Sequence, residues 1–202
     1  MKSLFKMIIW KIIKKTPCIR AIYETRGIGC PVNVKYFFFQ KILGFNRSVK
    51  WPVHFTSLVT GHEFISIGVN TAPGASLANY IFAGPDAPIF IGDYTVVASN
   101  VCIGSLNHDV HNISKYVTKG GIYIGSYCWI AANSVVLSGV TLGDHTVVAA
   151  GSVVNKSFPE GYCILAGNPA KIVKNISPDS VVRFEHPYKY CGYKRLSELC
   201  VE

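Results

Sequence analysis

The chain has 202 residues, half of them hydrophobic and only 15% charged, with a formal net charge of +9. That composition excludes a disordered chain and leaves room for one domain with a sizeable core, or one domain with an appendage. The charge is unevenly placed. Eleven of the twenty Lys and Arg fall in residues 1–50 against a single acid, Glu24, and none falls between Trp51 and Ser114. A basic front and a nearly uncharged middle imply two parts with different jobs.

The chain opens on "MKSLFKMIIWKIIKKTPCIR". Its longest apolar run is far below the roughly 20 residues of a spanning helix, and no small-residue cleavage site follows. Leu4, Phe5, Ile8, Ile9, Ile12 and Ile13 share one helical face with lysines around them. A basic amphipathic helix ended by Pro17 is expected, able to rest on an anionic membrane surface or to cover the domain's own core. The seven cysteines (18, 30, 102, 128, 163, 191 and 200) contain no CxxC pair. With no secretory signal they read as reduced, mostly buried thiols of a cytoplasmic protein.

From Ile91 a six-residue repeat sets in: IGDYTV, VASNVC, IGSLNH, then after an interruption IGSYCW, IAANSV, VLSGVT, LGDHTV, VAAGSV, VNKSFP. All nine leading residues are aliphatic, and seven of the nine second residues are Gly or Ala. Neither a helical period nor a period of two produces this pattern. A mainly β fold follows, a parallel β-helix in which each six supplies a short strand and a corner. The aliphatic residue points inward and stacks on its copy about 4.8 Å along the axis, and the small second residue lets the backbone turn. Ile67-Gly68 and Pro73-Gly74 are in phase with Ile91, four and three hexads upstream, while residues 79–90 fit poorly. The predicted organisation is a basic N-terminal extension over 1–50, a β-helix domain over 51–176 with a loop at 104–123, and a C-terminal cap or subunit contact over 177–202.

The stretch "IGSYCWIAANSVVLSGVTLGDHTVVAAGSVVNKSFPEGYCILAGNPAKIVK" resembles the C-terminal half of the hexapeptide-repeat acyltransferases, nearest the maltose, galactoside and capsular-polysaccharide O-acetyltransferases. The resemblance covers roughly residues 65–175. It implies a left-handed β-helix, a homotrimer, acetyl-coenzyme A bound between neighbouring subunits, and direct acetyl transfer to a sugar or glycan hydroxyl, with no metal expected.

Ile103 to Ile124 is not a multiple of six, so the segment between them is a loop thrown out of a coil, and loops held by rigid elements are where function concentrates. Asn107, His108, Asp109 and His111 stand at its start. A sugar hydroxyl is a poor nucleophile toward a thioester, and a positioned imidazole can take its proton as attack occurs. The family keeps its catalytic histidine in the corresponding loop, and the match falls on His108, with His111 as the competing base. Asp109 could orient the imidazole or hold a sugar hydroxyl; Asn107, His111 and Asp93 are further substrate-site candidates. Cys102 reads as a packed small side chain rather than a nucleophile. The three histidines of a zinc site on this kind of fold are not apparent.

Alignment with the family puts Ala132 and Ala150 where backbone meets the pantetheine arm. It puts Asn155, Lys156, Lys171 and Lys174 where diphosphate and 3′-phosphate are held. Lys171 and Lys174 stand where the nearest family members tend to have Arg, so bidentate phosphate contacts are lost. Surface-polysaccharide biosynthesis is the expected setting, with peripheral membrane contact through the N-terminal helix. N-acylation of an amino sugar or antibiotic is the alternative within enzymes, and a non-catalytic solenoid scaffold the alternative outside them. No nucleic-acid motif accompanies the basic front.

Overall fold

The computed structural model describes residues 17–29 and 31–199. The expected amphipathic helix over the first sixteen residues lies outside them. Pro17 stands in the first turn of a helix, Pro17–Glu24, where a missing N–H is tolerated. Among the described residues no helix is long and apolar enough to cross a membrane.

The middle of the chain is a left-handed parallel β-helix with three faces. Face one stacks Ile65–Ile67, Ile89–Ile91, Ile122–Ile124 and Thr141–Leu142. Face two stacks Val96–Val97, Trp129–Ile130, Val147–Val148 and Cys163–Gly167. Face three stacks Leu58–Thr60, Tyr80–Phe82, Cys102–Gly104, Val135–Leu137 and Val153–Val154. The hexad signal translates directly into register: Ile91 pairs with Ile124 and Ile124 with Leu142 on face one, Val97 with Ile130 and Ile130 with Val148 on face two. Each of the nine leading residues is at most 2% exposed. Ile67 does pair with Ile91, but the 24 residues between them form one wide coil rather than four regular hexads. The extra length goes largely into the turn between Phe82 and Ile89, at the face-three to face-one corner.

Both ends of the solenoid are covered, as a stack with open edges requires. At the far end Ala170–Asn175 turns back antiparallel on Cys163–Gly167. At the near end the segment before Trp51 folds over the first coil. Gln40, fully buried, donates to the carbonyls of Asn46, Val49 and Trp51 and accepts from the Val53 amide and the Tyr193 hydroxyl.

The C-terminal tail is a strap rather than a local cap. It runs back along the face-one to face-two corner, touching one coil after another. Arg183 reaches Tyr162 and Asp144, the Phe184 carbonyl accepts from Tyr127, and the His186 amide donates to the Tyr94 hydroxyl. Tyr188 and Tyr190 then bond to Asn70. Beyond them Tyr190 donates to buried Glu24, which also faces Arg195, so the tail grips the N-terminal helix. Burial first, and then the Glu24 carboxylate, push the Tyr190 hydroxyl up to about 12, so it remains a donor. The corner under the strap is a ladder of rings. Tyr94, Tyr127, His145 and Tyr162 occupy equivalent corner positions at φ of 53°, 57°, 52° and 47° and stack at centroid spacings of 5.1–5.2 Å. Stacking compensates the left-handed backbone that these bulky residues otherwise avoid.

His145 is the titratable rung. Burial chiefly, and then the charge of Arg183, lower its pKa from the ordinary value, with Asp144 opposing. A histidine held neutral when folded and free to protonate when unfolded withdraws stability as pH falls through its unfolded value of about 6.5. Melting temperature is expected to drop on acidification from that point. His145→Tyr, which keeps a ring in the stack without the titration, should flatten the drop in thermal melts taken across that range.

Candidate active site

The loop leaves face three after Gly104 and rejoins face one at Ile122, two residues tighter at its C-terminal end than the expected 104–123. Its root is stitched by small hydroxyls. Ser105, fully buried, donates to the Ala87 carbonyl at 2.6 Å. Thr118 donates to the Ser105 carbonyl and meets the Ser138 hydroxyl, which in turn accepts from the Lys119 amide. The excursion is thereby fixed to the two coils flanking it. Above the root, Asn107–His108 pairs antiparallel with Tyr116–Val117, His108 opposite Tyr116, and the two rings lie 4.6 Å apart as a cross-strand pair.

The His108 ring is exposed, and its Nδ1 lies 2.7 Å from the Ile113 carbonyl oxygen. A carbonyl can only accept, so the bond requires the proton on Nδ1 and leaves the Nε2 lone pair free. That is the tautomer of a general base. Asp109 does not orient the ring. Its Oδ1 accepts from the His111 and Asn112 amides at 2.7 and 3.0 Å, closing the turn that delivers Ile113. Asn112 continues the turn by accepting from Ser114. The His111 ring forms no hydrogen bond among the described residues, so none of them directs it through one. Asn107 sits beside His108 with its side chain exposed. Asp93 lies at another corner, between faces one and two, where its Oδ1 accepts from the Val69 amide at 2.7 Å. It is a coil-to-coil brace, and the single chain does not bring it to His108. Cys102 is half-buried with its thiol pushed up by that burial, which disfavours the thiolate a nucleophile needs.

The six residues aligned with a coenzyme site divide over three places. Ala132 and Ala150 sit on successive coils at the face-two to face-three corner, joined by the Gly151 amide donating to the Ala132 carbonyl. Ala150 is exposed, and its own amide and carbonyl make no hydrogen bond among the described residues. Asn155 and Lys156 are exposed on the face-three to face-one corner, the corner from which the His108 loop emerges two coils earlier. Lys156 lies over the Phe158 ring at 5.5 Å. Lys171 and Lys174 pair with Ala166 and Ile164 on the terminal antiparallel strand, and a register shift there returns both to one face. None of the three lysines has an ion-pair partner among the described residues. Free backbone amides and unpaired cations, though at separate places on one chain, suit a ligand with amides and phosphates.

Sequence reasoning missed the Ile113 carbonyl, the Tyr116 ring and the Ser105–Thr118–Ser138 root. The return strand carries the only available signal, a Tyr-Val pair before Thr118; a backbone carbonyl carries none.

The repeat has likenesses among known proteins. Residues 121–156 match the family model for the bacterial transferase hexapeptide (six repeats). A galactoside O-acetyltransferase of Escherichia coli K12 is 32% identical over 142 residues, 67% of this chain and 64% of that protein. A putative colanic acid biosynthesis acetyltransferase of the same organism, WcaF, is 36% identical over 107 residues, 49% of this chain and 57% of that protein. The matches thus span less than two thirds of those curated relatives' own length. The solved structure of a galactoside acetyltransferase in complex with coenzyme A superposes with a TM-score of 0.51 at 28% identity, covering 68% of this chain and 66% of that one.

The geometry of His108 makes one spectroscopic prediction. Long-range proton–nitrogen correlation above neutral pH should show His108 as the Nδ1–H tautomer. An Nε2–H signal would mean that the lone pair is not available where a base needs it. By its repeat, its coil register and these likenesses, the chain is a hexapeptide-repeat β-helix protein that resembles the galactoside O-acetyltransferases.

Proposed function

We propose that the protein transfers an acetyl group from acetyl-coenzyme A to a hydroxyl of a sugar or surface-polysaccharide precursor, with His108 as general base. The observation that carries this reading is the Nδ1–Ile113 bond, which in the neutral ring leaves the Nε2 lone pair free on an exposed residue of a loop anchored to the solenoid. In the proposed step the acceptor oxygen bonds to the thioester carbon, the carbon–sulfur bond breaks, and the hydroxyl proton passes through Nε2 to the departing sulfur. Both substrates are present together and no acyl-enzyme forms, in keeping with the raised Cys102 thiol. As Nε2 takes the proton the ring becomes a cation, and the Ile113 carbonyl dipole, already aligned on Nδ1–H, stabilises that charge without reorganising. Backbone amides of the coil facing the loop would receive the developing oxyanion.

Acetyl-coenzyme A would lie along the coil corners, with its pantetheine amides on Ala132 and Ala150 and its phosphates on Asn155, Lys156, Lys171 and Lys174. These groups sit on the two corners flanking face three and on the terminal strand beside face two, so one chain does not gather them around a single His108. A homotrimer resolves this by setting the loop of one copy against the corner of the next. Large apolar side chains stand exposed on the flat faces, among them Tyr80, Phe90, Tyr123 and Trp129, each between 46% and 52%. Such rows suit contact with a like surface.

The test is release of coenzyme A thiol across a panel of sugars and amino sugars. His108→Ala should lower acceptor-dependent kcat/KM by about 10²–10⁴ while coenzyme A binding persists. Lys156→Ala combined with Lys171→Ala should instead raise KM for acetyl-coenzyme A and weaken its salt dependence. Unchanged turnover in the histidine variant would move the base elsewhere. No turnover and no coenzyme A binding in the wild type would leave a scaffold.

A further inference from the structure

The N-terminal cover of the solenoid contains a short helix built inside out. Val34–Phe37 runs directly into a π-helical turn, Phe38–Ile42. Its one neutral polar side chain in that turn, Gln40, is wholly buried and held by the five hydrogen bonds described above, while its apolar side chains face solvent. Val34, Phe38 and Ile42 follow one another at intervals of four residues on a single stripe, exposed by 66%, 45% and 58%. Leu43, Phe45 and Phe55 extend the patch, all of them exposed. Phe39 ties it together: its ring stacks on Phe55 at 4.4 Å and meets the edges of Phe38 and Phe45 at 5.6 and 6.3 Å. Gln40 fixes which face is buried, so the stripe cannot roll inward without abandoning those bonds.

The segment that carries the patch, between Glu24 and Glu63, is cationic. Residues 25–62 contain Arg26, Lys35, Lys41, Arg47 and Lys50 and no acid at all. Lys35, Arg47 and Lys50 are exposed and form no ion pair among the described residues. Lys41 donates to the carbonyls of Arg47 and Val49, on the loop that carries Phe45. Its pKa is lowered, by burial first and then by the neighbouring Arg47 charge.

We propose that this patch docks the protein on an anionic lipid surface, with Phe38, Ile42, Leu43 and Phe45 entering the headgroup boundary and Lys35, Arg47 and Lys50 meeting lipid phosphates. Charge complementarity selects this occupant. Apolar residues rimmed by uncompensated cations match an interface that is apolar below and negative above. A second copy pairing through the same face would instead bring one acid-free cationic rim against another. The inference stands whether or not the acetyltransferase reading holds, and it concerns residues distinct from the basic first segment.

The experiment uses the full chain and sedimentation with vesicles of phosphatidylcholine alone or with about 30% phosphatidylglycerol. Wild type should sediment with the anionic vesicles and not with the neutral ones. Phe38→Ser/Ile42→Ser/Phe45→Ser should lower the partition coefficient on anionic vesicles by at least about tenfold at an unchanged melting temperature. Lys35→Glu/Lys50→Glu, which keeps every apolar side chain of the patch and the Arg47–Ile42 bond, should lower it comparably, and added salt should abolish the difference. Three results overturn the proposal: no sedimentation of the wild type, sedimentation of both variants equal to wild type, or loss of an oligomer in the serine variant with lipid binding intact. The second would assign lipid binding to another part of the chain, and the third would make the patch an interface between copies.

Discussion

Everything in this molecule hangs on one repeated contact, the stacking of an inward aliphatic residue on its counterpart one coil away. Ile91, Ile124 and Leu142 form one such column, and Val97, Ile130 and Val148 another, each residue essentially removed from water. A β-solenoid has no second layer on which to bury a face, so these columns are its hydrophobic core. Burying a Val, Leu or Ile side chain is worth about 1.5–3 kcal/mol. The columns also forbid slippage, because a shift of one residue would turn every aliphatic outward. Insertions are therefore confined to corners, where the chain can leave and return in phase. The longest here does so between Ile103 and Ile124 and then restores the 18-residue spacing that separates Ile124 from Leu142.

That constraint explains why the fold was legible from the residues and much of the site was not. Periodicity reports inward positions, and all nine leading residues fell where the hexads put them. A break in phase reports an excursion, so the loop and its histidine were equally visible. What orients the histidine was not. Asp109 is a candidate by position, though neighbouring side chains in extended backbone point opposite ways; its carboxylate closes the turn, and the group bonded to the ring is a backbone carbonyl with no identity in the sequence. Asp93 has a bracing role in the single chain that its place in the sequence does not announce. It follows an Ile-Gly pair as Asp144 follows Leu142-Gly143, and both carboxylates accept amides from an adjacent coil, Val69 for one and Ser126 for the other. A polar residue recurring in phase with the repeat serves the repeat.

The tail shows a second limit. Tyr94, Tyr127, His145 and Tyr162 are spaced 33, 18 and 17 residues apart, unequal intervals that hide a straight column. The loop lengthens one coil and another is a residue short. Once the coils are stacked the column is evident, and the tail's contacts descend it from Tyr162 to Tyr94 before gripping Glu24. The strap thus ties the last coil to the cover of the first, two ends that nearest-neighbour stacking alone would leave uncoupled.

Stacking also governs where charge can stand. Equivalent positions on successive coils lie about 4.8 Å apart, so a cation placed in the repeat meets whatever its neighbours carry, and like charges directly opposite are destabilising. Between Trp51 and Asn175 the only Lys and Arg are Lys115 and Lys119, on the extruded loop, and Lys156, Lys171 and Lys174, on the last coil and its terminal strand. The solenoid body is thus nearly free of cations because its geometry repeats. Those it keeps are displaced to a loop and to one end, where no further coil follows. The basic N-terminal cover lies at the opposite end. Two separate cationic regions therefore follow from the same stacking rule, one on the last coil and its terminal strand and the other beside exposed aromatic rings.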